Sequence, residues 1–223
     1  MKLKEKITIT GTITTITGLH IGGSKSTMEI GGLDNTVIKT PNGVPYIPGS
    51  SLKGKLRTLL VKKNSNSENV HDDPDDIKKL FGYQGKAKDK NSEAKDPQIG
   101  RLIFRDAYLN ENEFCETFID PILATDFTEE KYENTIDRKS GKAEHPRSME
   151  RVPAGAIFDF EIIMDVYDGD NKEEMLNKLR QAFALLEDDY IGGSGTRGYG
   201  KVKIDSNIDR PIIKNYNNES DHS

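Results

Sequence analysis

Hydrophobic and polar residues alternate along several stretches of the chain, a pattern that predicts β-strands with one buried face. The first stretch is KITITGTITTITGLHIGG at 6–23, which ends in a glycine turn. The next two are GRLIFRDAYL at 100–109 and AIFDFEIIMDVYD at 156–168. A shorter strand is predicted at YGKVKI, residues 199–204.

Apolar residues at the helical spacing of three and four occur in two other segments. VPYIPGSSLKGKLRTLLVKK at 44–63 combines a proline-rich approach and a serine cap with a helix, and NKEEMLNKLRQAFALLEDDY at 171–190 is a second helix. A short helix is expected within 74–83, PDDIKKLFGY. The predicted buried faces are Leu52, Leu56, Leu59 and Leu60 in the first helix and Met175, Leu176, Leu179, Ala182, Phe183 and Leu186 in the second.

These elements follow one another as strand, helix, strand, strand, helix, strand. The order is that of the ferredoxin-like βαββαβ core, which RNA-recognition (RRM) domains share. We therefore predict an α+β fold, with a single RRM-like domain over 1–204. Insertions poor in core residues are expected at about 64–98 and 125–153, the second as a projecting hairpin turning at Ser140-Gly141. Residues 205–223 are expected to form a flexible tail.

The composition narrows the class of protein. Hydrophobic residues make up 34% and charged residues 31% of the 223, which indicates a modest core and large loops. No stretch approaches ~18 consecutive apolar residues and the N-terminus lacks the apolar region of a signal peptide, so we expect a soluble, cytoplasmic protein without membrane contact. The single cysteine, Cys115, excludes a disulfide framework and a cysteine-rich zinc site, and it is expected in a core strand.

Charge is distributed unevenly along the chain. The net charge is -5, but residues 1–63 contain ten Lys and Arg against three Asp and Glu, a local net charge of +7. The remainder contains 22 against 34, a net charge of -12. A basic segment within an acidic protein indicates a limited electrostatic surface for nucleic acid, although ordinary surface variation is an alternative.

GGSGTRGYGKVKI at 192–204 contains the pattern G-x-G-x-x-G at Gly193, Gly195 and Gly198. A dinucleotide-binding fingerprint follows a strand and opens a helix, whereas this motif follows a helix and precedes a strand. The sequence also lacks the Gly-Lys-Ser/Thr ending of a P-loop. Two interpretations remain open: a tight turn with glycine as helix C-cap, or a loop that holds a phosphate.

Cations on the first helix are a second candidate for phosphate binding. Lys53 and Arg57 are four residues apart on one face, and Lys55 lies on the other flank of the apolar stripe. Neighbouring glycines allow a phosphodiester to approach closely. The alternative is a solvated helix face. His20 has the same ambiguity, because it could be an ordinary turn residue.

Four segments together resemble the RAMP superfamily of CRISPR proteins. They are LHIGG, IPGSSLKGKLR, ENTIDRKSGKAEHPRSMERVPAG and GGSGTRGYGKV. The third segment resembles more specifically the Csm backbone subunits of type III-A effector complexes, with Ser140-Gly141 where that family commonly has Thr-Gly. The resemblance extends from about residue 5 to 204.

The resemblance implies a subunit that binds crRNA and polymerises along it, together with other Csm subunits. Its hairpin would act as a thumb across the duplex of guide and target RNA. Matching the motifs implies that the guide backbone is held by His20, Ser51, Lys53, Lys55, Arg57, Gly193, Gly195, Thr196, Arg197 and Gly198. Arg138 and Arg147 of the hairpin are also expected to bind RNA.

The resemblance also implies that Asp34, in MEIGGLDNTVIK, cleaves the target RNA. From the sequence alone, Asp-Asn is a common turn former and a structural role is more plausible. One carboxylate can share a divalent ion, Mg²⁺ or Mn²⁺, with RNA phosphates. It could instead assist deprotonation of the ribose 2′-hydroxyl, which would then attack the adjacent phosphate.

The leading hypothesis is therefore an endoribonuclease that is also a structural RNA-binding subunit. A purely structural filament subunit with an inert Asp34 is the first alternative. A repeat-RNA processing nuclease of the same superfamily is the second, although such enzymes commonly use a histidine base in a duplicated fold, and only one βαββαβ unit is visible here.

Overall fold

The computed structural model describes residues 2–23, 35–85, 96–118 and 126–216. Its helices are α1 (Gly49–Asn64), α2 (Asp75–Phe81), α3 (Glu111–Thr117) and α4 (Lys172–Asp188). Its strands are β1 (Leu3–Thr15), β2 (Tyr46–Ile47), β3 (Leu102–Phe104), β4 (Ala107–Leu109), β5 (Glu129–Ile136), β6 (Ala143–Arg151), β7 (Ile157–Tyr167), β8 (Val202–Ser206) and β9 (Ile212–Asn215).

Strand β1 is the centre of a mixed α/β architecture with an antiparallel main sheet. One edge of β1 pairs with β7 along nearly its whole length. The other edge pairs with β8 at Gly11–Thr15 and with β9 at Glu5–Thr8. Beyond β7 lie β3 and β4, and β2 pairs with β4. Each of these pairings is antiparallel, so neighbouring strands run in opposite directions across the sheet.

The predicted strand at 100–109 is divided into β3 and β4. Between them Asp106 points its carboxylate at the start of α1, where Oδ1 accepts a hydrogen bond from the Gly49 amide at 2.8 Å. The first amides of a helix have no partner within the helix, so this contact satisfies one of them. The residue at which the strand is interrupted thus supplies a hydrogen-bond acceptor to the N-terminus of α1.

The main helices bury the faces that the sequence predicts. All four leucines predicted for α1 and all six residues predicted for α4 are buried. They form one apolar cluster with alternate residues of β1, Ile7, Ile9 and Ile13. Helix α4 begins at a favourable cap, because the Asn171 side chain accepts a hydrogen bond from the Glu174 amide at 3.2 Å.

The insertion expected at 125–153 contains a separate antiparallel pair, β5 and β6. The pair extends from Glu129 opposite Arg151 to Ile136 opposite Ala143. At its turn, the Gly141 amide donates to the Asp137 carbonyl at 2.9 Å, and Gly141 has a φ of +68°. A positive φ suits glycine, which explains the Ser-Gly sequence at the turn.

Two expectations are wrong. Residues 205–216 are not a flexible tail, because β8 continues to Ser206 and β9 then pairs with β1 beyond the end of β8. Residues 217–223 lie outside the described part. Cys115 is not in a core strand but is exposed on α3, a helix capped by Asn110 that buries only Phe114.

Part of the insertion at 64–98 is helical, since α2 falls within it, whereas 86–95 is outside the described residues. Within the ranges that the structure describes, no helix combines the length and the hydrophobicity needed to cross a bilayer.

Asp170 joins the turn between β7 and α4 to two other parts of the fold. Its carboxylate accepts hydrogen bonds from Arg101 Nε at 2.8 Å and from the Tyr167 amide at 3.0 Å, and it lies 2.7 Å from Lys79 Nζ. Only 2% of its side chain is exposed. Burial alone would raise the pKa of Asp170, but the hydrogen bonds from Arg101 and Lys79 lower it to about 2.

We expect Asp170→Asn to lower the free energy of unfolding at neutral pH by about 2 kcal/mol, since one pKa unit corresponds to about 1.4 kcal/mol. The depressed pKa means that this stabilisation is present above the ordinary value of 3.8 and is lost as the pH falls towards about 2. Urea unfolding of both proteins across this range measures the difference, which should shrink as the pH falls.

Asp168→Asn is the matched control. Asp168 pairs with Lys4 at 3.2 Å, but its side chain is 53% exposed, so the expected change is within about 0.5 kcal/mol. A difference between wild type and Asp170→Asn that stays constant from neutral pH to pH 2 would contradict the role of the Asp170 charge.

Candidate nucleic-acid interface

Helix α1 carries three of the predicted site residues on its first two turns, Ser51, Lys53 and Lys55. Ser51 lies one turn before Lys55, and its amide donates to the Pro48 carbonyl at 2.9 Å. Lys53 is partly buried, and among the described residues no carboxylate forms an ion pair with it. Burial first, and then the nearby Arg57 charge, lower the pKa of Lys53. A cation without a partner is suited to bind an anion from solution.

Lys55 connects α1 to the segment that precedes the glycine loop, which we define as residues 192–200. Its Nζ lies 3.3 Å from Asp189 Oδ2 and 3.8 Å from the centre of the Tyr190 ring. The same ring lies against Gly195, where an added Cβ would be 2.1 Å from a ring carbon. Lys55, Tyr190 and Gly195 therefore form a continuous contact from α1 into the loop.

Arg57 is not exposed as a solvated helix face would require. Its Nε donates to Asp73 Oδ2 at 2.7 Å, its Nη1 donates to the Gly82 carbonyl at 2.9 Å, and its side chain is only 15% exposed. These contacts join α1 to the α2 region. Arg57 therefore has a structural role that the sequence did not predict, and its expected contact with RNA stays a prediction.

The glycine loop is not a helix C-cap. The residue after α4 is Asp189, with a φ of -116° and a ψ of -137°, and the glycines follow it. Gly192 has a φ of +82°, and a Cβ there would lie 2.4 Å from the His20 carbonyl oxygen. Gly193 donates its amide to that oxygen at 2.8 Å. The loop therefore needs glycine because its backbone touches the His20 segment directly.

His20 is buried between the glycine loop and β6. Its Nδ1 lies 2.7 Å from the Glu150 carbonyl oxygen, which can only accept, so Nδ1 carries the proton. The ring also lies beside Gly193, with Cδ2 3.4 Å from the position of an added Cβ. His20 is therefore not an ordinary exposed turn residue. Its side chain packs between the glycine loop and β6 and contacts both.

The hairpin meets the glycine loop at Glu133. Its carboxylate accepts hydrogen bonds from Tyr199 Oη at 2.8 Å and Arg147 Nη2 at 3.2 Å, and it lies 3.5 Å from Arg197 Nε. Burial opposes ionisation, but the Tyr199 hydrogen bond and the nearby cations keep the pKa of Glu133 below its usual range. Arg147 and Arg197, from different elements, are thereby brought together.

The other predicted residues lie at the ends of this surface. Thr196 and Gly198 are exposed in the glycine loop, and Gly198 has a φ of +88°. Arg138 is exposed in the hairpin turn, at the opposite end of β5 and β6 from the Glu129–Arg151 pair. It is therefore the predicted residue most distant along the hairpin from the glycine loop.

Asp34 lies outside the described residues, which resume at Asn35. The Asn35 carbonyl accepts a hydrogen bond from the Glu150 amide at 3.0 Å. The buried Glu150 carboxylate accepts hydrogen bonds from the Val37 amide at 2.9 Å and from Lys39 Nζ at 2.5 Å. Residues 35–39 are thus fixed to the base of β6.

Several residues of this surface carry no role that the sequence reveals. Glu133 and Glu150 lie in the ENTIDRKSGKAEHPRSMERVPAG segment. Nothing in their spacing indicates the hydrogen bonds that they accept from Tyr199 and Val37. Tyr190 follows the helix as an ordinary aromatic residue. Their roles depend on partners far along the chain, which local patterns do not reveal.

A complete metal site is not formed by the described residues. Across residues 2–23, 35–85, 96–118 and 126–216, no three His, Cys, Asp or Glu side chains are grouped as metal ligands. These residues alone therefore do not fit a resident divalent ion.

The comparison with protein families decides the classification. The sequence model of the RAMP superfamily matches residues 12–203 of this chain. The chain belongs to the RAMP superfamily. The resemblance predicted from the motifs is thereby confirmed.

Individual relatives extend this result. The "CRISPR system Cms endoribonuclease Csm3" of Streptococcus thermophilus is 43% identical over 216 residues, which cover 95% of this chain and 92% of the relative. The protein of the same name from Methanocaldococcus jannaschii is 42% identical, over 92% of this chain and 80% of the relative. A solved structure of a Csm3-Csm4 subcomplex of the type III-A CRISPR-Cas interference complex matches with a TM-score of 0.56 and 29% identity, over 96% of this chain and 82% of that chain.

The contact between Tyr199 and Glu133 gives a pH-dependent prediction. Burial, followed by the Glu133 hydrogen bond and charge, raises the pKa of Tyr199 to about 12 from 10.0. Because the folded state favours the neutral phenol, this stabilisation is complete below pH 10 and is lost as the pH rises through about 12. We expect an absorbance titration of the folded protein to show a late step near pH 12, from which Tyr199→Phe removes the contribution of one tyrosine.

Circular dichroism at each pH confirms that the protein is still folded during this titration. A late step of unchanged size in Tyr199→Phe would show that another tyrosine is responsible and that the Glu133 contact is weak.

Proposed function

We propose that this chain is a crRNA-binding backbone subunit of a type III-A CRISPR effector complex and an endoribonuclease that cuts target RNA complementary to the guide. The names of relatives that are 42% and 43% identical support the activity. The observation that carries the proposal for this chain is the convergence of α1, the glycine loop and the hairpin through Lys55, His20 and Glu133.

The core is proposed to be ferredoxin-like. The order of its long elements along the chain is β1, α1, the β3–β4 strand, β7, α4 and β8, and across the sheet it is β8, β1, β7 and then β3 with β4. This supports the βαββαβ plan. The division into one domain over 1–204, with β5 and β6 as a thumb, belongs to the same proposal. Proteolysis that releases a stable fragment from within 1–204 would contradict the single domain.

Guide binding is proposed to depend on the sugar-phosphate backbone rather than on base sequence. The glycine loop exposes backbone and small side chains, and Lys53 supplies a cation that no carboxylate of the described residues neutralises. Contacts of this kind fix the position of a strand without reading its bases. A subunit that must hold guides of many sequences needs this type of surface.

Asp34 is proposed as the catalytic residue. Its carboxylate would assist deprotonation of the ribose 2′-hydroxyl next to the cleaved phosphate, or it would help to hold a divalent ion there. The former role restricts cleavage to RNA, because DNA lacks this nucleophile. The anchoring of residues 35–39 on β6 supports a fixed attachment for the segment that carries Asp34.

We also propose that cleavage requires Mg²⁺ or Mn²⁺. Carboxylate and phosphate oxygens are the ligands that such hard cations prefer, and Asp34 with RNA would supply both. The described residues hold no cluster of ligands for the ion, so Asp34 and the RNA would have to supply its ligands. Target cleavage that continues in excess EDTA would contradict this requirement.

The proposed partners are crRNA, target RNA, further copies of this chain along the guide and other subunits of the complex. The solved relative was obtained in a Csm3-Csm4 subcomplex, which supports a partner subunit. The site of action is proposed to be the cytoplasm. A single copy of the chain per guide RNA, measured by native mass spectrometry of the purified complex, would contradict the filament.

Lys53→Ala is expected to weaken binding of single-stranded RNA and to lower the log–log salt slope by about 0.7, the value for one lost phosphate contact. Arg57→Ala, four residues away, is the contrasting variant. Arg57→Ala should leave the salt slope of the folded protein unchanged. It should lower the free energy of unfolding by about 3–5 kcal/mol, because the buried Asp73 carboxylate loses its ion pair with Arg57. Fluorescence anisotropy across a salt series and urea unfolding measure the two effects. Equal salt slopes for Lys53→Ala and wild type would exclude Lys53 from the interface.

Asp34→Asn is expected to lower target RNA cleavage by at least ~100-fold in the assembled complex, the usual scale for a positioned acid-base group. Guide binding should persist, because the proposed guide contacts lie elsewhere. The matched control is Glu29→Gln, which changes the other carboxylate of the segment 24–34. Cleavage at the wild-type rate by Asp34→Asn would favour the purely structural subunit.

A further inference from the structure

Three cations surround the single carboxylate of Glu133. Lys131 Nζ lies 3.7 Å from Oε1, Arg147 Nη2 lies 3.2 Å from Oε2, and Arg197 Nε lies 3.5 Å from Oε2. Two of the cations come from the hairpin and the third comes from the glycine loop. One negative charge cannot balance three positive charges, so the cluster keeps an excess of two.

The excess charge is accessible to solvent, whereas the carboxylate is not. The Glu133 side chain is 11% exposed, but the side chains of the three cations are between 37% and 48% exposed. The adjacent Arg151 is already paired with Glu129 at 2.5 Å and adds no net charge. An anion from solution would therefore meet the cations first.

The position of Glu133 is fixed independently of these cations. Tyr199 is 1% exposed, and its hydroxyl donates to Glu133 Oε1 at 2.8 Å. The Lys131 Nζ also lies 4.6 Å from the centre of the Tyr199 ring. Because a buried group holds the carboxylate, it stays in place when the cations turn towards another anion.

We propose that Lys131, Arg147 and Arg197 form a binding site for an RNA backbone phosphate, and that Glu133 is a built-in counter-ion that limits the affinity of this site. The inference rests on the proposed RNA-binding function and adds Lys131 and Glu133 to its surface. In the free protein the carboxylate partly neutralises the cations and holds them together. In the complex the phosphate shares them.

This arrangement restrains general attraction to polyanions. A phosphate contact carries no information on base or sugar, so an uncompensated trio of cations would attract RNA and DNA equally. The Glu133 charge repels a phosphate that approaches the trio, and other contacts of the strand must then contribute to stable binding. Glu133 thereby favours a strand that engages the whole surface.

The test compares Glu133→Gln with Glu130→Gln in the full-length chain. Glutamine preserves the size of the side chain and an acceptor for Tyr199 Oη. Glu130 lies on the alternate face of β5, so its substitution makes the same change in net charge away from the cluster. The probes are a labelled single-stranded RNA and a single-stranded DNA of the same sequence, titrated across a salt series.

We expect Glu133→Gln to bind both probes about fivefold more tightly, the effect of one unit charge at ~4 Å in water. The RNA salt slope should become steeper by up to about 0.7. Glu130→Gln should resemble the wild type. Lys131→Gln, which changes a side chain that is 37% exposed, should weaken binding of both probes and lower the slope.

Unchanged or weaker binding by Glu133→Gln, with Lys53→Ala still impaired, would overturn the counter-ion inference and leave the proposed function standing. If neither Glu133→Gln nor Lys53→Ala alters RNA binding, the proposed RNA surface itself is wrong and the inference falls with it. Unchanged binding by Lys131→Gln would remove the phosphate site even if Glu133→Gln failed to fold.

Discussion

The close approach of two backbone segments, at His20 and at Gly192-Gly193, is the constraint on which the candidate interface depends. The His20 carbonyl oxygen accepts from the Gly193 amide at 2.8 Å and leaves no space for a Cβ on Gly192. This contact fixes the start of the glycine loop against the segment that follows β1. With the loop fixed there, Tyr190 can reach Lys55 on α1, and Tyr199 can reach Glu133 on the hairpin.

Polar contacts between distant parts of the chain then complete the surface. Glu150 joins the segment after Asp34 to β6, and His20 donates to the Glu150 carbonyl. Arg57 and Asp170 perform comparable roles elsewhere in the fold. Arg57 attaches α1 to the α2 region, and Asp170 attaches the turn before α4 to Arg101, the residue before β3. Cations that look alike in the sequence thus differ in the structure: Arg57 is paired with a buried carboxylate, whereas Lys53 forms no ion pair with the described residues.

Much of the fold could be predicted from local patterns. The apolar faces of α1 and α4 and the alternation in β1 and β7 identify their elements, because burial on one side produces a fixed period. Strand β9 could not be predicted in this way, since its four residues are exposed and gain their order from pairing with β1. The division of the predicted strand at Asp106 could not be predicted either, because Asp106 accepts a hydrogen bond from the Gly49 amide, 57 residues earlier in the chain.

The candidate site is less accessible to sequence reasoning. The resemblance groups the predicted residues, Arg57 among them, but it does not predict the contact of Arg57 with Asp73, because Asp73 lies in a loop without periodicity. The cations around Glu133 come from β5, β6 and the glycine loop, so their proximity depends on the register of the hairpin as well as on the loop. A one-residue slip in that register would place them on opposite faces.

The position of β1 at the centre of the sheet also affects how the chain can be synthesised and folded. Leu3 pairs with Tyr167 and Glu5 with Asn215, so β1 is synthesised long before the strands that pair with it. Contacts of such high sequence separation make folding slow and leave an exposed strand edge in the nascent chain. In β1 threonines alternate with isoleucines, so one face of the unpaired strand is polar. This reduces its tendency to aggregate before β7, β8 and β9 are synthesised.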